Sequence, residues 1–433
     1  MVKVITYGTY DRLHRGHIRL LERAKALGDY LIVGVTSDDY DRTRGKINAS
    51  QSLMERIDAV RATGLADEII VEEYEGQKID DIRRFGVDVF TVGSDWEGQF
   101  DYLNEYCKVV YLPRTEGVSS SEIRAKERTM RMGFYGKGRV VEKYRTEAGF
   151  VNGLEVAWTC LDFEEYTHLL PSCDAVYIQS HPRDHVRDIR LALESGKHVL
   201  CESPIALSAE DCESLFALAA EKKLVLMDAI KTAYSTAYNR LLLLVKSGKI
   251  GEVVSVDATC TRLMAPYANA DELIARWNAR CAWAPAALMA VFQILGTQYS
   301  DMHKTSFFAD GAPTFDVFTK FDFVYPKAVA SVKVGHGVKS EGELVISGTK
   351  GYIYVPAPWW KTDYFEVRHE DPIDNQRYFY QLDGEGIRYE LVSFVRSIMN
   401  PGMLGYISRD ESLAISELCG TNLHAEQERN FVK

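Results

Sequence analysis

Apolar residues in this chain come in short blocks set apart by amphipathic stretches. Residues 2–7 (VKVITY) and 30–35 (YLIVGV) are apolar runs, and between them Ile18, Leu20, Leu21, Ala24 and Leu27 recur at helical spacing. That pattern predicts one strand-helix-strand unit. Further apolar runs at 68–71, 87–92 and 108–112, separated by helical patterns, predict a parallel sheet of about five strands. A first domain is expected over 1–129, and the charged stretch EIRAKERTMR at 122–131 predicts a helical joint. The alternation then restarts with MGFY, LEVAWTC, DAVYIQS, HVLCE and LVLMD, predicting a second doubly wound domain over 130–231. From 232 to 433 the runs VVSVDATCT, VFTKFDFVY, VASVKVG, GELVISG and GYIYVP follow one another without obligatory helices. They predict an open mixed or antiparallel sheet, closed by helices near 388–399 and 409–428. The expected fold class is α/β, with two Rossmann-like domains and then an open α+β sheet domain.

Composition narrows the chemistry. In 433 residues, 46% are hydrophobic and 26% charged, the balance of an ordinary globular protein. The net charge is −11 and no long Lys/Arg run occurs, which argues against nucleic acid or an anionic membrane as partner. With neither a basic-then-apolar leader nor eighteen consecutive apolar residues, a cytoplasmic protein without membrane insertion is expected. The eight cysteines include no C-x-x-C pair and read as reduced, mostly buried thiols.

The first strand runs into GTYDRLHRG and then a helix, so this loop lies at the carboxyl end of a parallel strand, where open α/β sheets bind ligands. His14 and His17 share one helix face. At a helix N-terminus, where N–H groups and the macrodipole favour anions, two imidazoles suit a phosphate, and Gly16 lets it approach the backbone. Taken alone, the pair reads also as a solvated loop histidine and a partly buried helix histidine.

The surrounding residues resemble a known family. GTYDRLHRGHIRLLERAKALGDYLIVGV is similar to the G-T-F-D-x-x-H-x-G-H signature of cytidylyltransferases, and VGSDWEGQFDYL and VVYLPRTEGVSSSEIR resemble later motifs of the glycerol-3-phosphate cytidylyltransferases. The resemblance covers residues 2–125 and departs from the pattern at Tyr10 (usually Phe) and Ser120 (usually Thr). It implies a Rossmann-like nucleotidylyltransferase that joins CTP to an alditol phosphate with release of pyrophosphate, Mg²⁺ accompanying the triphosphate. It further implies His14 and His17 as donors to the triphosphate, Lys46 (or Arg44) as a phosphate-screening cation, and Arg114, Thr115 and Ser119 as phosphate holders. Thr9 and Tyr10 would line the nucleotide, Asp11 would orient a histidine or bind the acceptor, and Asp95 and Trp96 would border the cytidine.

In the second half, Gly136-Lys137-Gly138 lies between a strand and a helix, but Val141 stands where G-x-G-x-x-G has its third glycine, and WTCLD leaves Cys160 and the displaced Asp162 where a ribose-binding acid is expected. DAVYIQSHPRDHVRDIRLALESGKHVLCESPIALS resembles the glucose-fructose oxidoreductase and inositol dehydrogenase family, with later landmarks to about residue 428. That resemblance implies an NAD(P) site at Gly136, Gly138, His185 and Glu202. The family's E-K-P reads Glu202-Ser203-Pro204 here, and AALMAVFQILG gives Ala290 and Ile294 where an Asp and a His or polar surrogate usually stand. Loss of the cation and the acid/base pair argues against hydride transfer; Tyr299 or His303 would be a shifted acid, while His181 and His185 remain in the cofactor-side loop and read also as residues retained for the fold. Three roles for this half follow: an assembly scaffold in a homo-oligomer, a ligand sensor, or a reductase supplying the alditol phosphate.

Overall fold

The computed structural model describes residues 1–37, 51, 53–74, 76–113, 129–151, 153–380, 382–399, 405–420 and 428–430. Two compact units divide the chain, Met1–Thr129 and Met130–Lys433.

In the first unit, strands β1 (Lys3–Gly8), β2 (Tyr30–Thr36), β3 (Glu68–Glu72), β4 (Val89–Gly93) and β5 (Lys108–Leu112) form one parallel sheet in the order β3-β2-β1-β4-β5. Helices α1 (Arg15–Lys25), α2 (Leu53–Ala62) and α3 (Gln77–Phe85) connect successive strands. Because both faces are covered, the central strands are apolar at successive positions: Val4, Leu31 and Val33 point into one core cluster, Ile5, Ile32 and Phe90 into the other. Helix α1 docks through Leu21 and Ala24. Strand order reverses between β1 and β4, which opens a crevice at their carboxyl ends.

The second unit begins with β6 (Met130–Gly136), β7 (Leu154–Cys160), β8 (Ala175–Gln179), β9 (His198–Glu202) and β10 (Leu226–Ala229), a parallel sheet in the order β10-β9-β8-β6-β7. Helices α4 (Arg139–Ala148), α5 (Phe163–Leu169), α6 (His185–Glu194) and α7 (Ala209–Lys222) link these strands, and α8 (Thr236–Lys246) leads out. A nine-stranded mixed sheet follows, built from β11 (Val253–Arg262), β12 (Asp301–Ala309), β13 (Ala312–Val324), β14 (Val329–His336), β15 (Leu344–Gly348), β16 (Gly351–Val355), β17 (Tyr364–Arg368), β18 (Gln376–Phe379) and β19 (Glu428–Asn430). Its pairs are antiparallel except β11 with β14 and β12 with β19. Helix α9 (Ala279–Leu295) packs on this sheet and is buried over most of its surface, which is why its sequence is apolar all round.

One expectation changes. Helix α11 (Arg409–Cys419) ends well short of 428, and 428–430 pairs as strand β19 beside β12. Within the second unit, α10 (Ile387–Met399) ties the later part of the chain to α4: Tyr144 on α4 hydrogen-bonds the fully buried Glu390, and Arg388 pairs with Glu147 at 3.0 Å. All eight cysteines are free thiols, seven of them buried.

Candidate active site

The crevice between β1 and β4 is lined on one side by the loop from Thr9 to His14. His14 is the N-cap of α1: its backbone is extended and its Nδ1 accepts the Gly16 N–H at 3.1 Å. That bond places the proton of the neutral ring on Nε2. The His17 ring stacks on His14 with centroids 3.9 Å apart and interplanar angle 20°. Tyr10 meets His17 edge-on at 5.5 Å, so His17 is held between two rings. The structure thus brings His14, Gly16 and His17 together at the helix N-terminus.

The loop is held from beneath by a residue that no sequence pattern singled out. Arg56, fully buried on α2, donates to the carbonyls of Thr9 and Thr36 at 2.8 Å each and to that of Gln51 at 3.2 Å. Gln51 in turn donates its N–H to Asp11 and accepts the Arg12 N–H through its side chain. This lattice keeps Tyr10 and Arg12 at φ 52° and 45°, left-handed conformations that cost non-glycine residues about 1–3 kcal/mol each. Tyr10, expected to line the nucleotide, is instead 1% exposed, packed over Gly8 and His17. Asp11 is also buried and bonds the Gln51 backbone. Beyond β4, Asp95 and Trp96 form a short 3₁₀ turn; Asp95 is exposed, and Trp96 packs 5.9 Å from Phe100. Arg44, Lys46, Arg114, Thr115 and Ser119 lie outside the described residues.

In the second unit a cavity of about 1130 Å³ opens between the carboxyl ends of β9 and β10, helix α4 and the face of α9. Gly136, with φ 141°, ends β6 so close to β8 that a Cβ would lie 2.4 Å from the Gln179 carbonyl, and Gly138, with φ 95°, starts α4. Glu202 and Ser203 line the cavity. Glu202 accepts from Tyr177, and burial raises its carboxyl pKa. Behind Ser203, the buried Asp228 is pushed up to about 7 by burial, with Ser203 and Ser412 facing it. His185 is fully buried, its ring nitrogens 2.8 Å from the Pro204 carbonyl and 3.1 Å from that of Ser180, and burial lowers its pKa. It braces the turn and does not line the cavity. His181 caps the turn at 182–184 and reaches the Arg276 carbonyl. Tyr299 packs on Phe323, and His303 sits beside Asp301 on the exposed side of β12; neither lines this cavity.

The α9 residues that do reach the cavity are Ala282, Trp283, Pro285 and Ala286, two turns before the expected Ala290 and Ile294. Ala290 is buried in the helix-sheet core. The four-residue spacing reappears at Ala282 and Ala286, again without an acid or base. Also lining the cavity, Lys143, Lys231 and Lys361 converge on the Glu385 carboxylate at 2.7, 2.8 and 2.9 Å. Burial alone would raise that carboxyl; the three ammonium groups hold it well below the usual carboxylate range.

Residues 5–126 match the cytidylyltransferase-like family. Over 124 residues the chain is 50% identical to glycerol-3-phosphate cytidylyltransferase of Bacillus subtilis, 29% of this chain against 95% of that one. The Staphylococcus aureus enzyme of the same name is 47% identical over 124 residues, 93% of its length. Through this segment the chain belongs to the glycerol-3-phosphate cytidylyltransferase family. Residues 140–229 match an oxidoreductase family with an NAD-binding Rossmann fold. A 3-ketoreductase from Actinomadura kijaniata superposes on 70% of this chain and 98% of its own with TM-score 0.59 at 17% identity, a likeness of fold.

The second unit therefore shares the Rossmann fold of that oxidoreductase family. The glycine turn at 136–138 fits the pyrophosphate of a dinucleotide at the N-terminus of α4. The ribose end fits less well: Cys160 is buried, and Asp162 accepts from the Glu165 N–H as the cap of α5. Among the described residues no group of three or more His, Cys, Asp or Glu is arranged to hold a metal ion, and no helix is long and apolar enough to cross a membrane.

Proposed function

We propose that the first unit transfers the cytidylyl group of CTP to glycerol 3-phosphate, forming CDP-glycerol and pyrophosphate. The observation that carries this reading is the stacked His14–His17 pair at the N-terminus of α1, at the strand-order reversal, in a segment half identical to glycerol-3-phosphate cytidylyltransferase. An oxygen of the acceptor's phosphate attacks the α-phosphorus in line while the bond to the β-phosphate oxygen breaks, and the electron pair leaves with pyrophosphate. His14 donates from Nε2, because Nδ1 is engaged by Gly16. His17, clamped between His14 and Tyr10, donates beside it. One well-aimed donor of this kind supplies about 3 kcal/mol as charge develops on the leaving group. Lys46, or Arg44, together with Arg114, Thr115 and Ser119, completes the phosphate contacts in this reading, Asp95 and Trp96 border the cytidine, and Mg²⁺ enters with the triphosphate.

The second unit acts, in this reading, as a ligand-binding and assembly module of a cytoplasmic homo-oligomer and not as a reductase. Ser203, Ala282 and Ala286 support this: serine stands in place of the family's lysine, so that Lys231 is the cation acting on Glu202, and α9 brings no acid/base pair to the cavity. The test is pyrophosphate release from CTP with glycerol 3-phosphate, ribitol 5-phosphate or dihydroxyacetone phosphate, each with and without NADPH. Turnover of glycerol 3-phosphate without NADPH is expected. No turnover with any alditol phosphate overturns the transferase; turnover of the ketone only with NADPH overturns the reading of the second unit.

A further inference from the structure

The lysine cluster around Glu385 has no part in the proposed cytidylyl transfer; it shares the cavity of Glu202 and Ser203, where Lys231 also acts electrostatically on Glu202. Lys143 comes from α4, Lys231 from the segment after β10, and Lys361 from the turn before β17, so three separate elements deliver ammonium groups to one point on the cavity wall. All three contact the same carboxylate within 2.9 Å. Glu385 reaches them from Gly384-Glu385-Gly386, three consecutive residues at φ 58°, 56° and 90°. A non-glycine residue at such φ is held at a cost of about 1–3 kcal/mol. The glycines beside it give this tip the backbone freedom to take another conformation.

Three cations against one anion leave two positive charges at this point, the complement of a phosphate monoester dianion, whose charge at neutral pH is about −1.5 to −2. Trp283 and Trp360, in edge contact at 5.3 Å, line the same cavity together with Trp277, giving an apolar face that a polyol or sugar carbon skeleton packs against. The cavity has room for such a ligand beside the cluster.

We propose that Lys143, Lys231 and Lys361 form a subsite for a phosphate monoester and that Glu385 is a built-in competitor, occupying the place of the phosphate until ligand displaces it. Two sources share this chemistry, a phosphorylated polyol or sugar and a nucleoside monophosphate. The site is distinct from the cytidylyl-transfer crevice, and binding there is read without CTP.

The test is calorimetric titration of the full chain with inorganic phosphate, glycerol 3-phosphate, glucose 6-phosphate and CMP, for the wild type, Glu385→Gln and the double variant Lys231→Ala/Lys361→Ala. Glu385→Gln should tighten binding by about threefold or more, and the double variant should weaken it by about tenfold, a modest figure because these groups are partly exposed. CTP-dependent pyrophosphate release with glycerol 3-phosphate should stay unchanged in both. The gain in Glu385→Gln is the decisive sign, since misfolding cannot tighten binding. Preference for glycerol 3-phosphate or glucose 6-phosphate over phosphate identifies a polyol ligand, and preference for CMP a nucleotide. Affinities that do not respond to either variant, or no binding of any of the four, overturn the proposal.

Discussion

His14 has two functions that one substitution separates. Its Nδ1 caps α1 through Gly16, and its Nε2 is assigned to the triphosphate. Asparagine keeps a capping oxygen and lacks the donor, so His14→Asn should hold stability within about 0.5 kcal/mol while lowering the rate of CDP-glycerol formation about a hundredfold; His14→Ala should lose the rate and about 1 kcal/mol of stability as well. Urea melts and pyrophosphate release distinguish the two. Arg56 acts through the loop and touches no substrate. Arg56→Ala leaves three carbonyls, that of Thr36 buried and those of Thr9 and Gln51 partly so, without their guanidinium and should destabilise the first unit by about 3 kcal/mol, with residual activity limited by loop order. Asp228 gives a pH signature. Its carboxyl is 3.8 when unperturbed and about 7 in the fold, so the native chain binds that proton more tightly than the unfolded chain. Stability of the second unit should therefore fall as pH rises from 4 to 7, by up to about 4 kcal/mol from this group. Thermal melts across that range should show a flatter slope in Asp228→Asn.

At the scale of elements, the decisive features are where strands end and which helix face is turned to a cavity. Gly136 ends β6 at φ 141° against the Gln179 carbonyl, so Gly136→Ala forces β6 and β8 apart. It should destabilise the second unit by about 2 kcal/mol or more and weaken any dinucleotide binding measured by fluorescence titration. Helix α9 shows what periodicity cannot deliver. It is apolar on nearly every face, so no polar stripe orients it, and only packing turns Ala282 and Ala286, instead of Ala290 and Ile294, to the cavity.

At the scale of the whole molecule, the two units are separable in chemistry. The Bacillus subtilis relative is covered over 95% of its length by 124 residues of this chain, so a chain ending at Thr129 should retain cytidylyl transfer with a kcat within about threefold of the full protein, measured by pyrophosphate release. A complete loss would mean that the second unit is required for the chemistry of the first.

The sequence alone determined the five-stranded parallel sheet of the first unit and the loop bearing His14, Gly16 and His17, because these rest on local periodicity and on short contiguous motifs. Tertiary structure decided what depends on residues distant in the chain. Arg56 lies more than forty residues from Thr9 yet sets the shape of its loop, and Tyr10, which the family resemblance set against the nucleotide, is buried in that loop. The helix expected to 428 stops at Cys419, where Gly420 turns extended against the Leu207 carbonyl, and 428–430 pair with the edge of β12, a partner more than a hundred residues away in sequence. The cluster of Lys143, Lys231, Lys361 and Glu385 spans more than two hundred residues of sequence, and only the fold of the second unit brings those four charges to one point.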